Sequence, residues 1–299
     1  MYRRREWLYG YAMVAPAILL FLVIGLFTLV FSLWMAFHHV QAGSLIASAR
    51  YAGLDNFREF LTGGNTVMTQ MFFNAVKNNL ILGVSLVLIV IPMSLVLSVL
   101  LQNAKRFVKG FRTIFLIPMV TSSVAIFYVW QGIYDPKGSL NMVLSAIGLE
   151  SFVMSNGWLG ELHTALPAII VQTCWGSIPA TLILYVAGLQ TIDPHLYESA
   201  EIDGASAFSK LIHITWPVLR PITAIAVITT INGAMQLFDN IWIMTKGGPA
   251  GSTQVVNVLV YQDAFVTGQL SRANAMGWTI FLITFVLSLI SLRLLRTKT

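Results

Sequence analysis

The chain is short of charge. Of its 299 residues only 10% are Asp, Glu, Lys or Arg, while 57% are hydrophobic and the mean hydropathy is +0.76. A water-soluble domain carries roughly 25% charged residues, so most of this chain has lipid as its solvent. Cysteine is nearly absent: Cys174 stands alone in an apolar run, which excludes an intrachain disulfide and says nothing of the redox compartment. No lysine follows a glycine, so the Gly-Lys-Ser/Thr core of a phosphate-cradling loop cannot occur, and this chain does not hold a nucleotide in that way. The five histidines (His38, His39, His163, His195, His213) form no His-Glu-x-x-His and have no Cys partner at zinc spacing. Neither a metal nor a catalytic group is expected. A net charge of +6 would suggest nucleic acid for a soluble protein; here it reads as basic residues holding loops on the cytoplasmic side, with no nucleic-acid partner.

What the chain has is apolar length. A helix needs ~20 residues to cross ~30 Å of hydrocarbon, and six runs qualify, at about 11–37, 80–101, 114–134, 164–189, 218–243 and 275–295. Arg3, Arg4 and Arg5 precede the first, as in a signal peptide, but the run far exceeds the ~7–15 residues of a signal core, so it reads as a retained span. Pro16, Pro92, Pro118, Pro167 and Pro179 fall inside the runs, where neighbouring helices can satisfy the freed carbonyls. The expectation is an all-α integral membrane protein: a cytoplasmic N-terminus over 1–10, then one transmembrane domain over 11–299. Trp7, Trp158 and Trp242 lie near run ends and read as interfacial anchors.

Basic residues orient the spans. One set of ends and loops holds Arg3, Arg4, Arg5, Lys105, Arg106, Lys109, Arg112, Lys210, Arg220, Arg293, Arg296 and Lys298, twelve in all. The other holds six: Arg50, Arg58, Lys77, Lys137, Lys246 and Arg272. The excess marks the cytoplasmic face and places both termini there.

The same face receives the polar island between the fourth and fifth runs. It carries Asp193, Glu198, Glu201 and Asp203, four of the chain's twelve carboxylates. Asp193-Pro194 is a helix start, and Gly204 supplies the backbone that ends a short helix after Asp203. A second short helix follows, with Phe208, Leu211, Ile212 and Thr215 expected on one face and Pro217 and Pro221 closing it. Two short helices bent at a glycine form a surface that expects a partner.

Within this island, Glu198-Ser199-Ala200, Gly204, Ile214 and Trp216-Pro217 keep the full spacing of the Glu-Ala-Ala loop of binding-protein-dependent ABC importer permeases, which the chain resembles. Ser199 and Trp216 depart from the pattern's Ala and Leu. Further matches lie outside it: Gly53-Leu54-Asp55-Asn56-Phe57, Phe73-Asn74 with Lys77-Asn78-Asn79, Phe111-Arg112 with Pro118, Asp135-Pro136 with Gly138 and Asn141, and Gly247-Gly248-Pro249. Together they resemble the carbohydrate-uptake branch, similar to the maltose and glycerol-phosphate permeases.

The resemblance implies a type I importer permease fold with the Glu-Ala-Ala loop over 190–221. It implies ATPase-coupling roles for Glu198, Ser199, Ala200, Asp203, Gly204, Phe208, Leu211, Ile212, Ile214 and Pro217. It also implies a companion permease, usually unlike, two copies of an ABC ATPase that uses ATP and magnesium, and an extracytoplasmic solute-binding protein. The setting is a bacterial or archaeal cell membrane. The permease itself is then a transport subunit, not an enzyme.

For the solute, one polar stripe stands out. Asn232, Gln236 and Asn240 recur every four residues, with Asp239 three from Gln236. Uncharged donors and acceptors suit sugar hydroxyls, and Trp175 in the fourth run offers a ring for an apolar sugar face. The same residues would also serve interhelical hydrogen bonding and packing. Two other function classes stay open at this point. A secondary transporter or channel would need no ATPase, although so few intramembrane charges disfavour ion coupling. A permease for amino acids or polyols would carry a similar loop. A membrane enzyme would need clustered reactive groups, and none is visible.

Overall fold

The computed structural model describes residues 2–40, 43, 49–103 and 108–295, with backbone alone at 2–10, 103, 108–109, 111–112, 114, 116 and 294–295. Nine of the twelve basic side chains in the orientation count (Arg3, Arg4, Arg5, Lys105, Arg106, Lys109, Arg112, Arg296, Lys298) lie outside the described residues, as do the side chains of Trp7 and Phe111. The chain divides into two compact units.

The first unit comprises Met1–Gln70 and Leu259–Thr279. Helix α1 (Tyr2–Leu20) continues through a π-helical stretch, Phe21–Leu26, into α2 (Phe27–Ala36). The apolar length Tyr11–Ala36 has 26 residues, and none of its most hydrophobic stretch is buried. The two-residue strands β1 (His38–His39) and β2 (Arg50–Tyr51) pair antiparallel, His38 opposite Tyr51. Helix α3 (Asp55–Leu61) follows. Its buried Asn56 explains the Gly-Leu-Asp-Asn-Phe stretch physically. The amide donates to the carbonyls of Ala36, at 2.8 Å, and His38, at 3.0 Å, where the ending helix leaves acceptors unpaired.

This unit also holds an ion cluster that the sequence reading missed. Arg272 donates from Nε to Oδ2 of buried Asp263 at 2.6 Å, from Nη2 to its Oδ1 at 3.0 Å, and from Nη1 to Glu59 Oε2 at 3.1 Å. A buried carboxylate is tolerated when a fork of this kind neutralises it. The only warning in the sequence was an acid and a base nine residues apart.

The second unit comprises Met71–Val258 and Ile280–Thr299. Helix α4 (Thr66–Asn103) has 38 residues, about 57 Å at 1.5 Å per residue, so it outruns the 80–101 span expected. Its early turns carry amides among their apolar residues, and these hold a loop: Asn74 and Asn78 donate to Gly251 O, at 2.8 and 3.3 Å, and Asn78 also to Gln254 O at 2.8 Å. Asn79, fully buried, donates to Ala234 O at 3.1 Å and accepts from Val256 N at 3.0 Å.

The third expected span, 114–134, is not one helix. It forms α5 (Val108–Val120) and α6 (Ser123–Tyr134), of 13 and 12 residues, broken at Ser122. The helix runs on through Pro118 to Val120, and Ser122 then takes a non-helical ψ of 123°. Helix α7 (Ser139–Ala146) then presents buried Asn141, which donates to the carbonyls of Pro136 and Met154, both at 2.9 Å, and accepts from Trp158 Nε1 at 2.9 Å. Trp158 and Trp242, expected as anchors, pack against a core around Leu82, Phe127, Ile169, Ile241 and Val255.

Helix α8 (Ala165–Leu189) is continuous, and a second core near its C-terminal end gathers Ile91, Leu95, Tyr185, Leu189 and Leu219. There follow α9 (Pro194–Ile202), α10 (Ala207–Lys210), a π-helical stretch Leu211–Thr215, α11 (Trp216–Val218), α12 (Arg220–Met235) and α13 (Asp239–Met244). The fifth expected span, 218–243, is thus corrected: helix runs up to Val218, turns by 75° at buried Leu219, and stops at Met235. Helices α14 (Val256–Tyr261) and α15 (Leu270–Leu295) complete the chain. Among the described residues four helices are long and apolar enough to cross a membrane, or five if the bent pair counts as one span, against six expected runs.

Candidate functional site

The island Asp193–Pro217 folds into an elbow, and its caps are those its residues dictate. Asp193 Oδ1 accepts from His195 N at 3.0 Å, with Pro194 in the first turn of α9. At the other end Ala205 N donates to Ala200 O at 2.8 Å and Gly204 N to Glu201 O at 3.1 Å, the double closure that a left-handed residue permits. Gly204 supplies it, at φ +75° with open space around it. Ser206 then caps α10, accepting from Ser209 N at 3.2 Å.

The expected single apolar face is corrected. Phe208 is 70% exposed and Ile212 43%, whereas Thr215 is buried and Leu211 and Ile214 pack on the core around Tyr185 and Leu219. From Leu211 to Thr215 the winding is π-helical, so the second helix does not keep one α-helical register to its end. The elbow therefore seats itself with one set of side chains and offers the other outward. Ile202, which the sequence reading passed over, is 87% exposed across Gly204 from Phe208. Glu198 lies exposed on α9 with its carboxylate 3.1 Å from His195 Nδ1; Ser199 and Asp203 are exposed, while Ala200 and Pro217 are half-buried.

Behind the outward face the elbow is tied to itself. Lys210 Nζ meets Glu201 Oε1 at 2.7 Å, and Tyr197 OH meets Thr215 Oγ1 at 2.9 Å. The ammonium, through its hydrogen bond and then its charge, holds the Glu201 carboxyl below the ordinary carboxylate range. These groups line a cleft of about 220 Å³, with Val99 and Gln102 of α4 on its other wall.

The amide stripe is not a stripe. Helix α12 ends at Met235 and Phe238 breaks the backbone at φ −147°, ψ −61°, so Asn232, Gln236 and Asn240 do not share one helical face. Asn232 Oδ1 accepts from Ser288 Oγ at 3.0 Å. Gln236 and Asp239 are exposed. Asn240 is buried and donates to Gln172 Oε1 at 3.3 Å and Thr173 Oγ1 at 2.9 Å, while its own oxygen accepts from Ile241 N. Trp175 is 39% exposed and meets Trp130 edge to face, ring centroids 5.8 Å apart. The polar pair Gln172-Thr173 inside an apolar run was the signal for this buried network. Among the described residues no cluster of His, Cys, Asp and Glu is placed to hold a metal ion.

Comparison with known proteins decides the family. The profile of the binding-protein-dependent transport system inner membrane component family matches residues 65–297. The chain belongs to this family. The permease is 32% identical over 286 residues to the lactose transport system permease protein LacF of Rhizobium radiobacter, covering 93% of this chain and 91% of that one. It is 31% identical to the trehalose/maltose transport system permease protein MalF of Thermococcus litoralis, covering 95% and 91%. Its fold is similar to a chain in the crystal structure of a bacterial ABC transporter involved in the import of the acidic polysaccharide alginate, with a TM-score of 0.82, 26% identity, and coverage of 99% and 97%. The same similarity holds for that transporter in complex with an alginate pentasaccharide-bound periplasmic protein.

Proposed function

We propose that this permease is the membrane-spanning subunit of an ATP-driven importer for a carbohydrate, an oligosaccharide or sugar derivative delivered by an extracytoplasmic binding protein. The observation that carries the reading is the elbow: exposed Glu198, Ile202 and Phe208 around Gly204, on a loop that keeps the family's Glu-Ala-Ala spacing. Such a face, rigid behind and apolar in front, suits a cleft on an ABC ATPase, which would bind ATP and magnesium. The elbow then lies in the cytoplasm with both termini, and the rocking of two permeases exposes the pathway to each side in turn. A companion permease, unlike this one, completes the pathway. The sugar assignment is supported by the lactose and trehalose/maltose relatives and the alginate importer. Gln236 and Asp239, exposed at the break between α12 and α13, and Trp175, exposed on α8, are the side chains offered to hydroxyls and a ring face. Asn232 and Asn240 support them from within.

The test is ATP hydrolysis by the reconstituted complex with its binding protein, screened against mono- and oligosaccharides, polyols and amino acids. Stimulation by a sugar supports the assignment. Stimulation by amino acids or polyols alone overturns the substrate class, and transport without any ATPase subunit overturns the whole.

A further inference from the structure

The elbow turns at a residue with nothing near it. Apart from its chain neighbours, nothing lies within 4 Å of where a Cβ on Gly204 would be, and the residues on either side are exposed or half-buried. Side-chain packing around Gly204 itself therefore does not hold the bend. The backbone closure onto Glu201 O and Ala200 O shapes the turn, and two rungs behind it join the helices on either side. Glu201, one residue from the end of α9, and Lys210, the last of α10, close a nine-residue span across Gly204 at 2.7 Å. One turn earlier in α9, Tyr197 meets Thr215 at 2.9 Å, and the Thr215 hydroxyl donates onward to Lys210 O at 3.3 Å. The chain of contacts is closed: tyrosine to threonine to the lysine backbone, and the lysine side chain back to the glutamate.

Burial says which rung matters. The Lys210 side chain is 19% exposed, held down over the cleft with its stem alongside Leu211, whereas the Glu201 side chain is 67% exposed. An ion pair between two free surface side chains contributes little. This one has a partner already fixed, so less side-chain entropy is lost on pairing. Thr215 is buried at the foot of the structure, four residues before Leu219, where the chain turns by 75° into α12. The two rungs thus connect α9 to the segment that feeds the spanning helix.

We infer that the Glu201–Lys210 pair and the Tyr197–Thr215 bond brace the elbow so that α9, α10 and the start of α12 move as one rigid piece. A push on the outward face is then delivered to α12 instead of being absorbed by flexing at Gly204. Glu201, Lys210, Tyr197 and Thr215 are positioning residues: they touch neither nucleotide nor solute. The inference rests on the reading of the outward face as the ATPase dock.

The test is a pair of spin labels at Leu196 and Ile225, both exposed, in the complete complex with Cys174→Ser as background. Their distance is measured nucleotide-free and after trapping with ATP and vanadate. A brace predicts one narrow distance, unchanged between the two states. Glu201→Lys or Lys210→Glu should widen it and let it change by about 2 Å or more on trapping, the scale of helix shifts in switching. The double exchange Glu201→Lys/Lys210→Glu should restore the narrow distance, and Tyr197→Phe should give a partial loss. A distance that changes in the unaltered protein, singles that behave like it, or a double exchange that does not rescue each overturn the brace. The dock reading is tested apart, by co-purification of the ATPase with Phe208→Ala and Ile202→Ala. Undiminished association there sinks the dock whatever the labels report.

Discussion

At the scale of single residues, Gly204 and Asn240 show two kinds of necessity. Gly204 is required by its backbone: φ +75° is strained for any L side chain even where space is open. Gly204→Val should keep membrane insertion but separate ATP hydrolysis from uptake, read as the ratio of the two rates in proteoliposomes. Asn240 is required by its partners. Asn240→Ala removes the amide that donates to Gln172 and Thr173, and a lost interhelical bond of this kind costs roughly 0.6–2 kcal/mol. The melting temperature in detergent should fall. Gln236→Ala, at an exposed position, should leave melting unchanged and raise the solute concentration needed for half-maximal transport. If both variants melt alike and transport alike, the division between supporting and contacting amides is wrong.

Elements carry the next level of argument, because the polar contacts join one to another. Asn79 on α4 ties the end of α12 to the start of α14 through Ala234 and Val256. Asn79→Ala strands a buried acceptor and a buried donor, at about 1–3 kcal/mol, and should lower the melting temperature more than alanine at Asn74, which is bonded once in the described contacts. The elbow has a pH signature. Lys210 lowers the Glu201 carboxyl below its ordinary value, so the pair's contribution is complete above the unfolded-state value and is lost as pH falls through the lowered folded one. The Leu196–Ile225 label distance should hold steady while pH stays above ~4.3, the ordinary glutamate value, and widen only in more acid solution. Glu201→Gln should abolish that dependence.

For the whole molecule the decisive quantity is the side of the membrane on which the elbow lies. A cysteine at Glu198, with Cys174→Ser, should react with an impermeant maleimide in inverted vesicles and not in intact cells. Reaction from outside in intact cells would defeat the proposed direction of force. The exposed apolar surfaces of α1–α2 and α15 belong to this scale too. They are what a bundle leaves bare when lipid or a second permease takes the place of water.

Composition and hydropathy alone determined that this is a helical membrane protein, because nothing else can bury so little charge and so much apolar length. Local chemistry determined the elbow's ends: Asp193-Pro194, Gly204 and Ser206 act on their immediate neighbours, so their effect is written within a few residues. The breaks were decided only in three dimensions. A run of apolar residues reads as one span whether or not it bends, so the interruptions at Ser122 and Phe238 were invisible, and with them the loss of the amide stripe; only the stop at Leu219 was marked, by Pro217 and Pro221 on either side. The ties from Glu201 to Lys210, Asn79 to Val256 and Arg272 to Glu59 and Asp263 were hidden for the same reason. Each joins residues whose separation in sequence says nothing of their distance, and only packing of the helices brings donor and acceptor within reach.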